Sequence, residues 1–357
     1  MRLAFLSTHL TGTGHLVRTA ALARAGAAQG HDVLVINGGR PLAHLDLSDL
    51  RIVQLPPLMV SADLDYGSLR KPDGEIAEEA YLEHRSNQVV EALKEFAPDI
   101  LITETYPLGR RNLAVEYGAA LNATGAVRVA SVRDIPEPKP KRLTEVEAEL
   151  EKNFAALLVH GDRDFIPLSA SWPFEHIGAK IHHTGYVADR PDGAPVKGGV
   201  LVSVGGGIHG RRLLPIAAEA ARTSPRPWRI LVGGADAADL HLPVADNLTV
   251  EPVRPDYRSL LAGAEISVSL CGYNTAVDLA LCDTPAILVP MAEKGEQEQV
   301  IRARHLARHD GIEVMQIDGL TPAALGDAVE RMAGERRPKL PLGTNGAARA
   351  IEILESL

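Results

Sequence analysis

The stretch SLCGYNTAVDLALCDTPAILVPMAEKGEQEQVIRARHL, residues 269–306, decides the fold. A strand ends near Leu270, and Gly272-Tyr273-Asn274-Thr275 turns the chain into a helix. Ala286–Pro290 forms the next strand, and the polar run EKGEQEQ leads into another helix. Strands apolar on both faces and separated by helices build parallel sheets covered on both sides. The turn also has chemistry to offer. Amides at the start of a helix suit a phosphate, because they point outward unpaired at the positive end of the helix dipole. Asp278, one turn later on the same face, suits a ribose hydroxyl pair. Glu298 and Gln299 suit the hydroxyls of a sugar, since a carboxylate and an amide together accept and donate.

The same rhythm runs through the chain. Strands are expected at LAFLST, DVLVING, RIVQL, DILITET, VRVASV and ALLVHG. After IHHTGYVADRPDGAPVKGG it restarts with VLVSVGGG, RILVGG, LTVEPV, EISVSL, AILVPM and IEVMQI. Helices lie between them, among them LVRTAALARAGAAQG, closed by Gly30, and YLEHRSNQVVEALKEFA, stopped before Pro98. Residues 189–197, rich in Pro, Gly and Asp, read as a linker. The expectation is an α/β chain of two doubly wound, Rossmann-like domains, 1–188 and 198–340, facing a cleft at the carboxyl ends of their strands. A final helix within 341–357 is expected to pack back on the first domain.

Composition narrows the function. A length of 357 residues suits two domains, and 45% apolar residues with only 4% aromatics mean aliphatic cores. A net charge of −9 argues against nucleic-acid binding and against purely electrostatic attachment to anionic lipid. The two cysteines, Cys271 and Cys282, match no metal spacing and read as reduced thiols. The opening MRLAFLSTH is too short in apolar residues for a signal peptide, which predicts a cytoplasmic chain, at most resting on the inner face of a membrane.

A second glycine turn, THLTGTGHLVR at residues 8–18, places Gly14, His15 and Arg18 where the first strand hands over to the first helix. It is not a dinucleotide fingerprint: Val17 replaces the third glycine, and Asn37 stands where the second strand would end in an acid. What remains is a turn with amides and a histidine aimed at a bound anion or sugar; a plain helix-capping role for His15 is the alternative. A third turn, VSVGGGIHGRRLL, offers the amides of Gly206 and Gly207 to a diphosphate, with Arg211 adding bidentate charge; an ordinary tight turn is the alternative. Glu104 and Asp134 end the strands DILITET and VRVASV, each a general base or acceptor ligand, or else a cap or half of an ion pair. His160 and Asp162 read as braces at the domain junction. Asp63-Leu64-Asp65 and Asp162-Arg163-Asp164 are chance triplets, and no metal is expected. The long segment 56–74 carries Leu58, Met59, Val60 and Leu69, and reads as an acceptor lid, a membrane-touching surface or a loop packed on its own domain.

Gly272, Thr275, Asp278, TPAILVP and Glu298-Gln299 resemble the carboxyl-terminal half of glycosyltransferase family 28. GTGH and GGGIHGRR are similar to that family's other two glycine loops. The resemblance runs the length of the chain in motif order and is most specific in the last hundred residues. It implies the GT-B architecture and an inverting, metal-independent transferase. That enzyme would use a UDP-sugar or similar donor, no cofactor, and an unidentified acceptor, lipid-linked or of the cell envelope. His15, Glu104 and Asp134 are the expected catalytic set. Gly14, Arg18, Gly206, Gly207, Arg211, Arg254, Gly272, Asn274, Thr275, Asp278, Glu298 and Gln299 are the expected donor site. Two departures put the donor sugar in question: the acid is Asp278 where the family has Glu, and the pair is Glu-Gln where it has Gln-Gln. GTGHLVR is also similar to the loop of a UDP-sugar hydrolase, in which water replaces the acceptor. A catalytically inactive sugar-nucleotide binder and an epimerase are further alternatives.

Overall fold

The computed structural model describes all residues except 43–44, 62–66, 138–139, 175, 189–192, 206–209, 234–239 and 293–295. The chain forms two compact units, one of residues 1–188 with 343–357 and one of residues 189–342.

The first unit runs β1 (Arg2–Ser7), α1 (Gly14–Ala28), β2 (Asp32–Asn37), β3 (Arg51–Gln54), α2 (Glu79–Phe96), β4 (Ile100–Glu104), α3 (Ala114–Asn122), β5 (Val127–Arg133), α4 (Leu143–Asn153), β6 (Ala156–His160) and β7 (Ile181–His183). Its seven strands lie in the order β3-β2-β1-β4-β5-β6-β7, all parallel. Successive strand side chains point to opposite faces, and the buried ones divide accordingly. Leu3, Phe5, Val33 and Val35 pack on the α1 face, whereas Ala4, Leu6, Leu34 and Ile36 join Val89 and Leu93 of α2, Tyr117 of α3 and Leu150 of α4. Double winding follows from that alternation.

The second unit runs β8 (Gly198–Ser203), α5 (Leu213–Thr223), β9 (Trp228–Val232), β10 (Leu248–Pro252), α6 (Tyr257–Gly263), β11 (Ala264–Ser269), α7 (Tyr273–Ala280), β12 (Ala286–Leu288), α8 (Glu298–Leu306), β13 (Ile312–Val314) and α9 (Pro322–Met332). Its six parallel strands are ordered β10-β9-β8-β11-β12-β13, and α5 and α9 cover one face through Leu213, Ala217, Leu325 and Val329.

The last helix, α10 (Gly346–Glu355), returns to the first unit and packs on α1 through Ala350, Ile351 and Leu354. Its approach is tight. A Cβ on Gly346 would fall 2.4 Å from the Gly185 carbonyl oxygen, so only glycine fits there. Tyr186 N–H donates to Gly343 O at 2.7 Å and Gly346 N–H to Tyr186 O at 3.0 Å, tying this return to the end of the first unit.

One detail differs from the sequence reading, and one open choice in it is decided. Residues 181–183 form β7, an edge strand inside a segment read as the run-up to the linker; it is short and half-buried, so it lacks the apolar run that announces an inner strand. In the segment 56–74, Leu58, Val60 and Leu69 are buried in the core of their own unit, and Met59 bridges Arg70. Burial therefore removes those three side chains from the membrane-touching surface that their hydrophobicity suggested; residues 62–66, with Asp63 and Asp65, lie outside the described residues. Among the described residues no helix is long and apolar enough to cross a membrane.

Candidate active site

Parallel α/β sheets gather side chains at the carboxyl ends of their strands, and in the first unit this produces a buried charged network. Gly14 is the first residue of α1 and His15 the second, so His15 does not cap the helix; the cap position belongs to Thr13. Because β1 pairs directly with β4, the start of α1 faces the end of β4. There Arg18 forms an ion pair with Glu104, their side chains only 2% and 4% exposed. His15 Nδ1 lies 3.1 Å from the same carboxylate oxygen, and its ring remains 19% exposed. Nδ1 also lies 3.2 Å from Thr105 Oγ1 and 3.3 Å from Arg18 Nη2. Its shortest contact is nevertheless the anionic oxygen, which a lone pair would face, so we assign the Nδ1–H tautomer, with Nε2 left as the acceptor. Thr105 donates to the same oxygen at 3.1 Å. It does so from a left-handed backbone (φ 71°), a conformation that costs a β-branched residue about 1–3 kcal/mol and is found where function requires it.

The charge states follow from this packing. Burial, and then the Arg110 charge, push the His15 pKa down to about 3 against the opposing pull of Glu104. Burial works against ionisation of Glu104, but Arg18 and the hydrogen bond from His15 outweigh it and hold the carboxyl well below the usual range. At neutral pH the pair is a neutral imidazole braced by a carboxylate, the arrangement that makes a histidine a directed base.

Glu104's other oxygen accepts from Ser131 Oγ at 2.8 Å. Ser131 in turn lies 2.9 Å from His160 Nε2, and His160 Nδ1 lies 3.0 Å from Thr184 Oγ1. Sequence reasoning did not single out Ser131 or Thr105. The missing signal is register: Glu104 and Ser131 are directly paired across β4 and β5, which no local pattern reveals. Asp134 has a different occupation. It is 0% exposed, accepts from Ile135 N–H at 2.8 Å and from Tyr186 Oη at 3.0 Å, and touches Gly161, where a Cβ would fall 2.6 Å from its own. It holds the end of β5 to the segment around Tyr186. Asp162 accepts from the backbone of Asp164 and of Gly343.

In the second unit the expected donor residues divide into two groups. Gly272 caps α7 and has no side chain of its own to accept from the amides of the helix's first turn, where Asn274 and Thr275 stand partly exposed. A side chain at Gly272 would meet open space. Behind this turn, α8 acts as a clamp. Gln299 Oε1 accepts from Cys271 N–H at 3.2 Å and Met291 N–H at 3.1 Å. Arg302, fully buried, donates to Cys271 O and to Glu298 Oε1, both at 2.7 Å. The opposite end of α7 is held by Arg337, which donates to the carbonyls of Leu279, Cys282 and Thr284. Glu298 Oε1 and Gln299 Oε1, expected to serve with their neighbouring atoms as acceptors and donors for sugar hydroxyls, are both engaged by the scaffold.

Asp278 is buried and paired with Arg258 at 2.7 Å; burial pushes its carboxyl up, against the arginine's pull. Arg254 forms a two-point pair with Asp256, both contacts at 2.8 Å, and Arg211 is exposed just ahead of α5. Gly206 and Gly207 lie outside the described residues. Among the described residues no three His, Cys, Asp or Glu side chains cluster as metal ligands would.

Residues 228–351 match the glycosyltransferase family 28 C-terminal domain. The UDP-N-acetylglucosamine–N-acetylmuramyl-(pentapeptide) pyrophosphoryl-undecaprenol N-acetylglucosamine transferase of Rhodopseudomonas palustris is 34% identical over 179 residues, 46% of each chain. An uncharacterized glycosyltransferase of Methanopyrus kandleri is 28% identical over 171 residues, again 46% of each. The chain therefore spans about half the length of these curated relatives. Among solved structures, MurG of Acinetobacter baumannii superposes with a TM-score of 0.60 at 15% identity, and the glycosyltransferase SnogD of Streptomyces nogalater with 0.62 at 18%, each over 100% of both chains. The chain is thus similar to glycosyltransferase family 28 over residues 228–351, and its fold is that of the GT-B glycosyltransferases.

Proposed function

We propose that this chain transfers a sugar from a nucleotide-sugar donor, of the UDP-sugar class, to an acceptor hydroxyl or amine, with inversion and without a metal ion. One observation carries the reading: a neutral histidine at the start of α1, its Nδ1–H directed by the Arg18-paired carboxylate of Glu104 and its Nε2 available as a base. In the reaction Nε2 takes the acceptor's proton as its oxygen or nitrogen attacks the anomeric carbon. The bond from that carbon to the diphosphate breaks on the opposite face, and the nucleotide leaves with the electron pair. Glu104, with no position left for a proton, steadies the imidazolium rather than acting as the base. The leaving charge falls to the amides that begin α7, with Arg211 assisting. Inversion is further supported by the sequence around α7, where the glutamate pair eight positions apart, usual in retaining enzymes of this architecture, is not present. The names of the curated relatives suggest a lipid-linked or envelope glycan as acceptor.

The test is nucleotide release from UDP-, dTDP- and GDP-sugars by the wild type and His15→Ala, first without acceptor and then with an acceptor panel. Transfer that needs an acceptor and disappears in His15→Ala is expected. Rapid, His15-dependent release without acceptor would replace transfer by hydrolysis. Turnover that survives the substitution would remove His15 from the mechanism.

A further inference from the structure

We infer that Ser131 and His160 are positioning residues for the His15 base, acting through Glu104; this rests on the reading of His15 given above. The argument is a proton count along a buried chain. Glu104 is ionised, so its Oε2 can only accept, and the hydroxyl 2.8 Å away must donate to it. Ser131 has a single proton, so its oxygen must accept from His160 Nε2 at 2.9 Å, which makes His160 the Nε2–H tautomer. His160 Nδ1, left without a proton, lies 3.0 Å from Thr184 Oγ1, a hydroxyl that also donates to Gly185 O at 2.8 Å. Ser131 and His160 are 1% and 0% exposed, and burial followed by the Arg18 charge pushes the His160 pKa down to about 3. Water therefore does not compete for these bonds.

The consequence reaches His15. A carboxylate held at one oxygen alone can swing about its terminal torsion, which is broad for Glu. Held at both, it presents Oε1 at a fixed angle to the Nδ1–H of His15. Thr184 anchors the far end of the chain: its N–H donates to Val159 O at 3.0 Å, and the neighbouring Tyr186 is tied to Gly343 and Gly346. A sequence-distant serine and histidine thus determine which imidazole nitrogen carries the proton.

The experiment compares Ser131→Ala, His160→Leu and His160→Gln in the full chain. Gln can place an amide N–H where Nε2–H stood, so it should restore what Leu removes. Ser131→Ala and His160→Leu are expected to lower kcat about tenfold, the scale seen when a partner that orients a functional histidine is lost. The affinity for UDP alone should stay unchanged, and His160→Gln should remain near wild type. The ¹⁵N shifts of His15 in the unliganded protein should move from a single Nδ1–H tautomer to a mixture in the first two variants only. That measurement needs no turnover, so it separates this inference from failure of the proposed activity, which His15→Ala tests. Unchanged kcat and unchanged His15 shifts in Ser131→Ala would overturn the inference. So would a His160→Gln variant as impaired as His160→Leu, since packing rather than hydrogen bonding would then be at work. Should His160→Leu fail to fold, Ser131→Ala, which deletes one oxygen, still decides.

Discussion

The turn after β1 and the turn after β11 are the same piece of architecture used in opposite ways. Each ends a central parallel strand, passes glycine and begins a helix. In the first unit the side chains carry the chemistry: His15 and Arg18 converge on Glu104 within the fold. In the second unit the side chains point backward. Gln299, Arg302 and Arg337 grip the backbone at both ends of α7, and the helix starts on a glycine cap that has no side chain of its own. One turn exposes a functional group, the other a set of amide dipoles. A strand-to-helix turn can do either, depending on whether neighbouring elements bind its side chains or its backbone.

Four outcomes would sharpen or break that comparison. The largest is expected for His15→Ala, which should lower kcat by about 10²–10⁴ while UDP binding stays within a few-fold. Steady-state rates beside calorimetric titration with UDP measure both. An equal loss in binding would mean that the two turns do not divide the labour as described.

Next is Arg302→Leu. It removes the buried cation that donates to Glu298 Oε1 and Cys271 O, and should cost about 3–5 kcal/mol of stability, read from urea unfolding followed by tryptophan fluorescence.

Gln299→Ala removes the acceptor shared by two buried N–H groups and should cost about 1–3 kcal/mol. It should also weaken UDP binding. If UDP binds Gln299→Ala as tightly as wild type, the clamp does not shape the amide turn.

The smallest effect is a slope. His9, His15 and His160 have pKa values pushed down to about 4, 3 and 3, burial being the first cause in each, so the folded protein keeps them neutral where the unfolded chain protonates them. Their contribution is complete above the ordinary histidine value and is lost as pH falls below it. Depressed Glu104 adds loss of the same sign at lower pH, below its ordinary value. Stability should therefore fall from about pH 6.5 downward, with about three protons taken up by these histidines on unfolding at pH 5. His160→Gln should reduce that uptake by about one, seen as a shallower plot of urea midpoint against pH.

The elements and their order were legible because they are local. Apolar runs of five or six residues, such as LAFLS and ILITE, alternate with helical spacing, and Gly30 and Pro98 mark helix ends. Gly14, His15 and Arg18 stood out for the same reason, as did Gly272, Asn274 and Thr275: a glycine turn entering a helix is written in adjacent residues. Other details needed the fold. β7 is too short and too polar to show a period. Leu58, Val60 and Leu69 read equally as a lid, a membrane-touching surface or a loop packed on its own domain, and they fill their own unit's core. For Glu298 and Gln299, read as suiting sugar hydroxyls, the fold adds that Glu298 Oε1 faces Arg302 and Gln299 Oε1 the Cys271 and Met291 amides.

By itself, then, the sequence determined the α/β class, the strand-to-helix turns and which of them carry a histidine or a bare glycine cap. Only the tertiary structure decided that His15 is braced by Glu104, eighty-nine positions away, and not by Asp134, which is buried against Tyr186. It also decided that Ser131 and His160 stand behind that carboxylate. The reason is physical. Turn chemistry and hydrophobic period are properties of neighbouring residues. The pairing of β1 with β4, the register of β4 on β5 and the face that α8 presents are set by how separate elements share one core.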